Sequence, residues 1–332
     1  MKNYLKKFDR NIKKDNSGYD IILFGGDRIL EKRPFSSLSI FLKKKKLSYI
    51  SIINPSHAIQ RVDKNENLKQ HLIKKKINFI IKDKLNHTDL KKLINKETFG
   101  LSINSRWKFS KKIIKIFNGK LFNYHAGDLP TERGAGTVTW RIILKKKNKI
   151  SINIHEINEG FDTGKILKQK KISIKKLGVL PSDHLIETAK IEDKFIRDFV
   201  EDFYKKKKFI RKKQDNNESY YWPRLNSDKD GEIDWNWTAE EIVNFIKSFS
   251  KPYNGSFSYL AKKKVRILNA SFQKSRVKFH SFQNGIIFRL HQNFFYIANR
   301  DYVIKIHTKD FLGLKKNYSY YLGKRLYKKI NR

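Results

Sequence analysis

An amide and an imidazole stand two residues apart in "KLFNYHAGDLPTERGAG" (120–136), as Asn123 and His125, where an apolar run gives out into a loop of glycines and a proline. Residues two apart in an extended chain share one side of it, so both side chains can meet one substrate. An amide NH2 can donate to an oxygen on which negative charge develops, and an imidazole can move a proton near neutral pH. A neighbouring carboxylate would fix the imidazole in one tautomer and raise its basicity. "NEGFDTG" (158–164) offers such an acid, Asp162, inside a glycine-flanked loop. Taken singly, these are also residues of ordinary capped turns, in which Asn and Asp abound. Together they mark a candidate site at this strand end.

Side chains at a strand end require a sheet to present them. "YDIILFGG" (19–26), "LSYISIIN" (47–54), "INFIIKD" (77–83) and "FGLSIN" (99–104) are short apolar runs, the signature of strands buried on both faces. Helix-like stretches, 64–76 and 88–96 among them, lie between. Strands alternating with helices predict an α/β domain with a mostly parallel, Rossmann-like sheet. "KLFNYH" reads as another central strand. "ISINIHEI" (150–157) reads as a later one with a polar, solvent-facing side of Ser151, Asn153 and His155. Leu185, Ile186, Ala189, Phe195, Ile196, Phe199, Val200 and Phe203 give residues 183–204 the spacing of an amphipathic helix. Ligands of such sheets sit beyond the carboxyl ends of the strands, which is where Asn123 and His125 fall.

The pattern then changes. The polar stretch 207–218 reads as a linker. Thr238 and Glu241 form a capping box before a helical run, and short alternating strands follow, with a hairpin signal at Asn284-Gly285. The expected organisation is a basic lead-in (1–18), an α/β domain carrying the site (19–206), the linker, and a small β-rich, barrel-like domain (219–332).

Composition bounds the partners. The 332 residues suffice for two cores, and a hydrophobic fraction of 39% with 24 Phe and 15 Tyr is globular. The absence of cysteine excludes disulfides, thiolate metal sites and cysteine nucleophiles, and is consistent with a cytoplasmic protein. No run of about 18 apolar residues is present, so no membrane span is expected. The formal net charge of +42 favours anionic ligands of any kind. Its lysines are scattered along the whole chain, as in a composition filling solvated positions.

Other motifs carry less. Gly25-Gly26 follows the first strand, but "GGDRIL" is not a dinucleotide fingerprint and no Walker sequence occurs. His155-Glu156 lacks the spaced companions of a metal site, and no metal is expected. "SYYWPRL" and "IDWNWT" are aromatic clusters suited to packing.

In order along the chain, Asn123-Tyr124-His125, "GDLPTERG" (127–134) and "EGFDTG" (159–164) resemble the folate-dependent formyltransferase family. The resemblance covers about residues 19–204. It continues through "YYWPRLNSDKDGEIDWNWTAEEIVNFIKSFSKPYNGSFSYL", which is similar to the carboxy-terminal domain of methionyl-tRNA and amino-sugar formyltransferases. It implies formyl transfer from 10-formyltetrahydrofolate to an amine. Asn123 would donate to the oxyanion, His125 would stabilise it or move the amine's proton, and Asp162 would orient His125. It also implies folate contacts at Ser105, Arg106, Trp107, Gly160 and Phe161, and an acceptor contact at Arg133. The connection after the second strand, "PSHAIQRVDKNENLKQHLI", is short and carries only Arg61 and Lys64 before Asn65. The family's tRNA enzymes carry a basic insertion there, so the implied acceptor is a nucleotide-linked amino sugar for surface polysaccharide, with initiator methionyl-tRNA as the alternative and a homodimer as a possible assembly. A non-catalytic nucleic-acid-binding protein on the same scaffold would account for the charge but not for the Asn-His-Asp set. A sugar-nucleotide reductase or epimerase would need the missing glycine fingerprint.

Overall fold

The structure, a computed structural model, describes residues 18–27, 34–63, 65–145, 149–173 and 179–329. The basic lead-in expected over 1–18 lies, apart from Gly18, outside them. The chain forms two compact units: residues 1–134, 150–173 and 186–221, and residues 135–149, 174–185 and 222–332.

The first unit is built on a seven-stranded sheet. Its strands lie among β1 (Tyr19–Gly25), β2 (Tyr49–Ile53), β3 (Phe79–Ile81), β4 (Ile94–Ile103), β5 (Leu121–His125), the two-residue β6 (Arg133–Gly134), β7 (Lys149–Glu156) and β8 (Ile166–Ser173). Their order is β3-β2-β1-β4-β5-β7-β8. β1, β2, β3, β4 and β5 run parallel, and β7 joins β5 antiparallel. The chain moves outward from β1 through β2 to β3, then returns to the other side of β1 as β4. That reversal makes the crevice at the carboxyl ends in which ligands of doubly wound sheets bind.

Side-chain alternation assigns the faces. Phe122 meets Phe199 and Phe203 of the helix Pro181–Tyr204 at ring-centroid distances of 5.4 and 4.9 Å, and Tyr124 donates to Glu192 of the same helix at 2.8 Å. Leu121 faces the other way, into a cluster with Phe24, Phe109, Ile113 and Phe117. Asn123 and His125 share the Leu121 face. Phe122 is fully buried, so its truncation to Ala should cost about 3–5 kcal/mol.

Two helix expectations needed trimming. The first helix runs Leu68–Lys74, started by Asn67, whose side chain and that of Gln70 cap each other's backbone. The second stops at Lys91, because Ile94 pairs with Tyr19 of β1 and begins a ten-residue strand. The stretch expected as a linker is tied to the sheet: Ile166 and Lys212 exchange backbone hydrogen bonds of 2.8 and 2.9 Å.

The second unit packs two four-stranded antiparallel sheets and the helix Ala239–Ser248 around one core. Leu260 and Val265 of one sheet and Phe295, Ile297 and Ile304 of the other meet Ile242 and Ile246 there. The Thr238–Glu241 capping box forms as expected. The hairpin expected at Asn284-Gly285 does not. Gly285 instead bonds to the Ala298 carbonyl ahead of the strand Ile287–His291. Tight turns fall at Ala261-Lys262 and Gln292-Asn293, all four residues having positive φ. The apolar register of the flanking strands fixes the turn position here, over local turn propensity.

Candidate active site

β5 ends at His125 and β7 runs back beside it, so their register decides which side chains meet. Asn123 lies opposite His155, and His125 lies opposite Asn153. All four are therefore on one face. Ser151, Asn153 and His155, expected on a solvent face, are buried. β7 sits between β5 and β8 with its polar side turned onto the site, which overturns the reading of His155 as a surface residue.

The loop after β7 brings Asp162 against this face. One carboxylate oxygen, Oδ1, is 3.3 Å from the Asn123 amide nitrogen and 3.2 Å from His155 Nε2. The other, Oδ2, accepts the Gly134 N–H at 2.8 Å and stands 3.6 Å from His125 Nδ1. The structure thus brings Asn123, His125 and Asp162 together and adds His155. The signal for His155 was in the sequence: polar residues alternate along a strand that leads directly into the Asp162 loop.

The imidazoles are held from behind. His125 Nε2 donates to the Glu132 carbonyl at 2.7 Å, so a neutral ring keeps its lone pair on Nδ1, the atom facing Asp162. His155 Nδ1 donates to the Glu156 carbonyl at 2.7 Å, leaving Nε2 to accept from Asn123 at 3.2 Å. Burial pushes the His125 pKa below its ordinary value, against the carboxylate charge of Asp162, which favours protonation. Burial also pushes the Asp162 carboxyl up. The facing His125 and His155 imidazoles and the Gly134 N–H outweigh this and hold it well below the usual carboxylate range. The result is a neutral imidazole beside a fixed anion.

Close approach demands two glycines. A Cβ on Gly127 would strike His125 Nε2, and one on Gly164 would strike the Glu156 carbonyl. Asn153 donates to the Gly127 carbonyl and accepts from Gln169 at 2.6 Å, fixing the loop beneath His125.

Ser105, Arg106 and Trp107 follow the carboxyl end of β4. Ser105 Oγ accepts the Trp107 N–H at 3.2 Å, Trp107 Nε1 donates to the Asp83 carbonyl at 2.8 Å, and Arg106 is exposed. Gly160 and Phe161 lie on the Asp162 loop, where Phe161 is 53% exposed. The two segments meet: Lys108 Nζ sits 5.0 Å from the Phe161 ring centroid, and Lys111 pairs with Glu159 at 3.1 Å. Arg133, expected to meet the acceptor, is buried and turned inward. It donates to Gln214 Oε1 at 3.1 Å and to Asn216 Oδ1 at 2.9 Å. Gln214, within the expected linker, was not singled out by sequence. One glutamine among "RKKQDNNES" gives no periodic signal.

Sequence models of two families match the chain. That described as "Formyl transferase" covers residues 58–186, and "Formyl transferase, C-terminal domain" covers 226–317. The chain is 33% identical to methionyl-tRNA formyltransferase of Thermodesulfovibrio yellowstonii over 168 residues, 48% of this chain and 49% of that protein. It is 31% identical to the bifunctional polymyxin resistance protein ArnA of Wigglesworthia glossinidia brevipalpis over 175 residues, 52% of this chain and 25% of that protein. The matches thus span about half the length of the first relative and a quarter of the second. In fold it resembles the N-formyltransferase of Helicobacter canadensis, solved with folinic acid and dTDP-3-aminofucose, with a TM-score of 0.64 and 19% identity over 87% of this chain and 99% of the other. With its parallel sheet, its antiparallel second unit and both sequence models matched in order, the chain belongs to the formyl transferase family.

Proposed function

We propose that this protein transfers the formyl group of 10-formyltetrahydrofolate to the primary amine of a nucleotide-linked amino sugar. The observation that carries the reaction type is the Asp162 carboxylate lying between two buried imidazoles and an amide at the carboxyl end of β5. The donor, when bound, supplies an electrophilic formyl carbon and a nitrogen leaving group.

His125 is the base. Its Nε2–H is occupied by Glu132, so Nδ1 takes the proton of the attacking amine, and the imidazolium that forms beside Asp162 returns it to the departing donor nitrogen as the bond from the formyl carbon to that nitrogen breaks. Asp162 stays ionised throughout and stabilises that imidazolium, while the Glu132 carbonyl fixes the ring's tautomer. The family resemblance implies that the Asn123 NH2 donates to the developing oxyanion. In the resting arrangement that NH2 is turned to Asp162 and His155 across bonds of 3.3 and 3.2 Å, at the long end of the range. Donation to the formyl oxygen then requires it to leave these partners, and the Gly134 N–H remains to hold the Asp162 carboxylate in place. The fit to folate rests on the half-exposed Phe161 ring and the neighbouring Lys108, a flat apolar surface beside a cation that suits a pterin and an acidic tail.

The short connection after β2 supports the sugar acceptor. Asn54 caps the helix Pro55–Ala58, Val62 N–H returns to the Glu66 carbonyl at 2.9 Å, and Asn67 starts the next helix. A connection folded back on itself so soon offers little to grip duplex RNA, which takes several phosphate contacts. The identity to a methionyl-tRNA enzyme favours initiator methionyl-tRNA as the second reading. The deciding assay offers the protein 10-formyltetrahydrofolate with charged initiator tRNA and a panel of amino-sugar nucleotides side by side. Formylation of a sugar nucleotide is expected. Efficient formylation of tRNA with no sugar turned over refutes the acceptor, and no formyl transfer to any amine refutes the reaction.

A further inference from the structure

Gln214 lies outside the cluster that does the proposed chemistry, yet it is 6% exposed and makes three side-chain hydrogen bonds. Its amide NH2 donates to the Asp162 carbonyl at 2.8 Å and to the Gly164 carbonyl at 2.6 Å. Its Oε1 accepts from Arg133 Nε at 3.1 Å. Arg133 adjoins Gly134, whose N–H holds the Asp162 carboxylate at 2.8 Å. These bonds close a ring: Asp162 backbone to Gln214, Gln214 to Arg133, Arg133 along the chain to Gly134, and Gly134 back to the Asp162 side chain.

The ring has a conformational task. Asp162 has φ 54, a left-handed conformation that residues with a Cβ occupy sparsely and keep when their surroundings impose it. On the outer side of the loop, Asn158 Oδ1 accepts from Gly160 N–H at 3.2 Å and from Thr163 Oγ1 at 2.7 Å. On the inner side Gln214 binds the carbonyls on either side of Thr163. The segment bearing Gln214 is anchored in turn: Lys212 pairs with Ile166 of β8, Arg211 pairs with Glu156, and the Tyr220 carbonyl accepts the Arg133 N–H at 3.0 Å. Buried amides with every donor used are costly to move, so this contact fixes both loops at once.

The geometry points to Gln214 as a positioning residue of the transfer reaction: it holds the Asp162 backbone in its left-handed turn and so sets the carboxylate between His125 and His155. This rests on the formyl-transfer reading of the cluster. Two variants test it. Gln214→Met keeps the length of the side chain and removes its hydrogen bonds. Gln214→Glu keeps the acceptor for Arg133 and sets an oxygen against two carbonyls.

Amide hydrogen exchange over 158–164 should quicken about tenfold or more in both variants, with exchange in β5 and β7 unchanged. The kcat for formyl transfer should fall roughly 10- to 100-fold, while KM for 10-formyltetrahydrofolate and for the acceptor stay within about twofold, as expected of a misplaced group that binds neither. Arg133→Met combined with Gln214→Met should cost less than the product of the single effects, because the two act in one ring. Unchanged exchange overturns the inference. So does quickened exchange with full kcat, a loss carried by KM, or loss of the fold in both variants. A wild-type chain with no formyl transfer to any amine counts against the proposed reaction, and the exchange comparison still decides whether Gln214 orders the Asp162 loop.

Discussion

Asn123 and His155 face each other across β5 and β7, with the amide nitrogen 3.2 Å from Nε2, and both reach the same Asp162 oxygen, at 3.3 and 3.2 Å. The other oxygen is left to His125 and the Gly134 amide. The carboxylate is therefore divided: one oxygen faces His125 and the other accepts from the Asn123 amide beside His155. His155 stands where its Nε2 accepts from the Asn123 amide and so orients it.

Replacing His155 should accordingly weaken catalysis without abolishing it. His155→Gln is expected to lower kcat by about 10- to 100-fold with little change in KM, a loss smaller than that from removing the base. Steady-state kinetics on the active acceptor measures this. Full activity in His155→Gln would return His155 to a packing role.

Losing the base or its carboxylate should be severe. His125→Ala and Asp162→Asn are each expected to reduce kcat by about two to four orders of magnitude, the range for a lost acid-base group. The double variant should be little worse than either single one, since the pair acts as a unit. Additive losses would place the two residues in separate steps.

The fold was largely legible because apolar runs and their spacing report burial directly. Asn123, His125 and Asp162 were legible because amide, imidazole and carboxylate at strand ends are chemically conspicuous. His155 was misread because alternation on a strand says which residues share a face but not whether that face meets water or a neighbouring loop. Gln214 was hidden for a related reason. Its burial comes from contacts with Arg133, Asp162 and Gly164, more than fifty residues away in most cases, and nothing local marks it. The turns at Ala261-Lys262 and Gln292-Asn293 carry no Asn-Gly signal, and cross-strand packing imposes positive φ on Ala261, Lys262 and Gln292, which do not seek it.

Gly127 should tolerate no side chain. Its φ is outside the left-handed region, so the obstacle is steric: a Cβ would strike the His125 ring and the Glu132 carbonyl that anchors it. Gly127→Ala is expected to destabilise the protein by about 1–3 kcal/mol and to lower kcat by displacing His125. Chemical denaturation and kinetics on the same preparation check both effects. A stable variant with normal kcat would mean that the ring is free to shift.

Trp107 should separate the two substrates. Its indole is fixed by the Asp83 carbonyl and packs edge-on to Phe24 at 6.4 Å, beside the Lys108 that reaches Phe161. Trp107→Leu is expected to raise KM for 10-formyltetrahydrofolate about tenfold and KM for the acceptor much less. Equal increases would remove Trp107 from the folate surface.

The pH dependence follows from burial. His125 is held below the ordinary histidine value of about 6.5, and its neutral form is the base. As pH falls, kcat/KM should therefore be retained through 6.5 and lost only at the lower, depressed value. Asp162, also depressed, stays ionised across that range. Stability carries the same sign. The unfolded chain binds the His125 proton first, so this group's contribution is fully present above about 6.5 and is lost progressively as pH falls towards the folded-state value. Asp162→Asn removes the charge that opposes burial, so the His125 titration should move lower still. Imidazole carbon shifts, followed by NMR in wild type and Asp162→Asn, give both values. A wild-type titration at or above 6.5, unmoved by Asp162→Asn, would show that neither burial nor the carboxylate governs this histidine, and the assignment of His125 as a buried neutral base would fall.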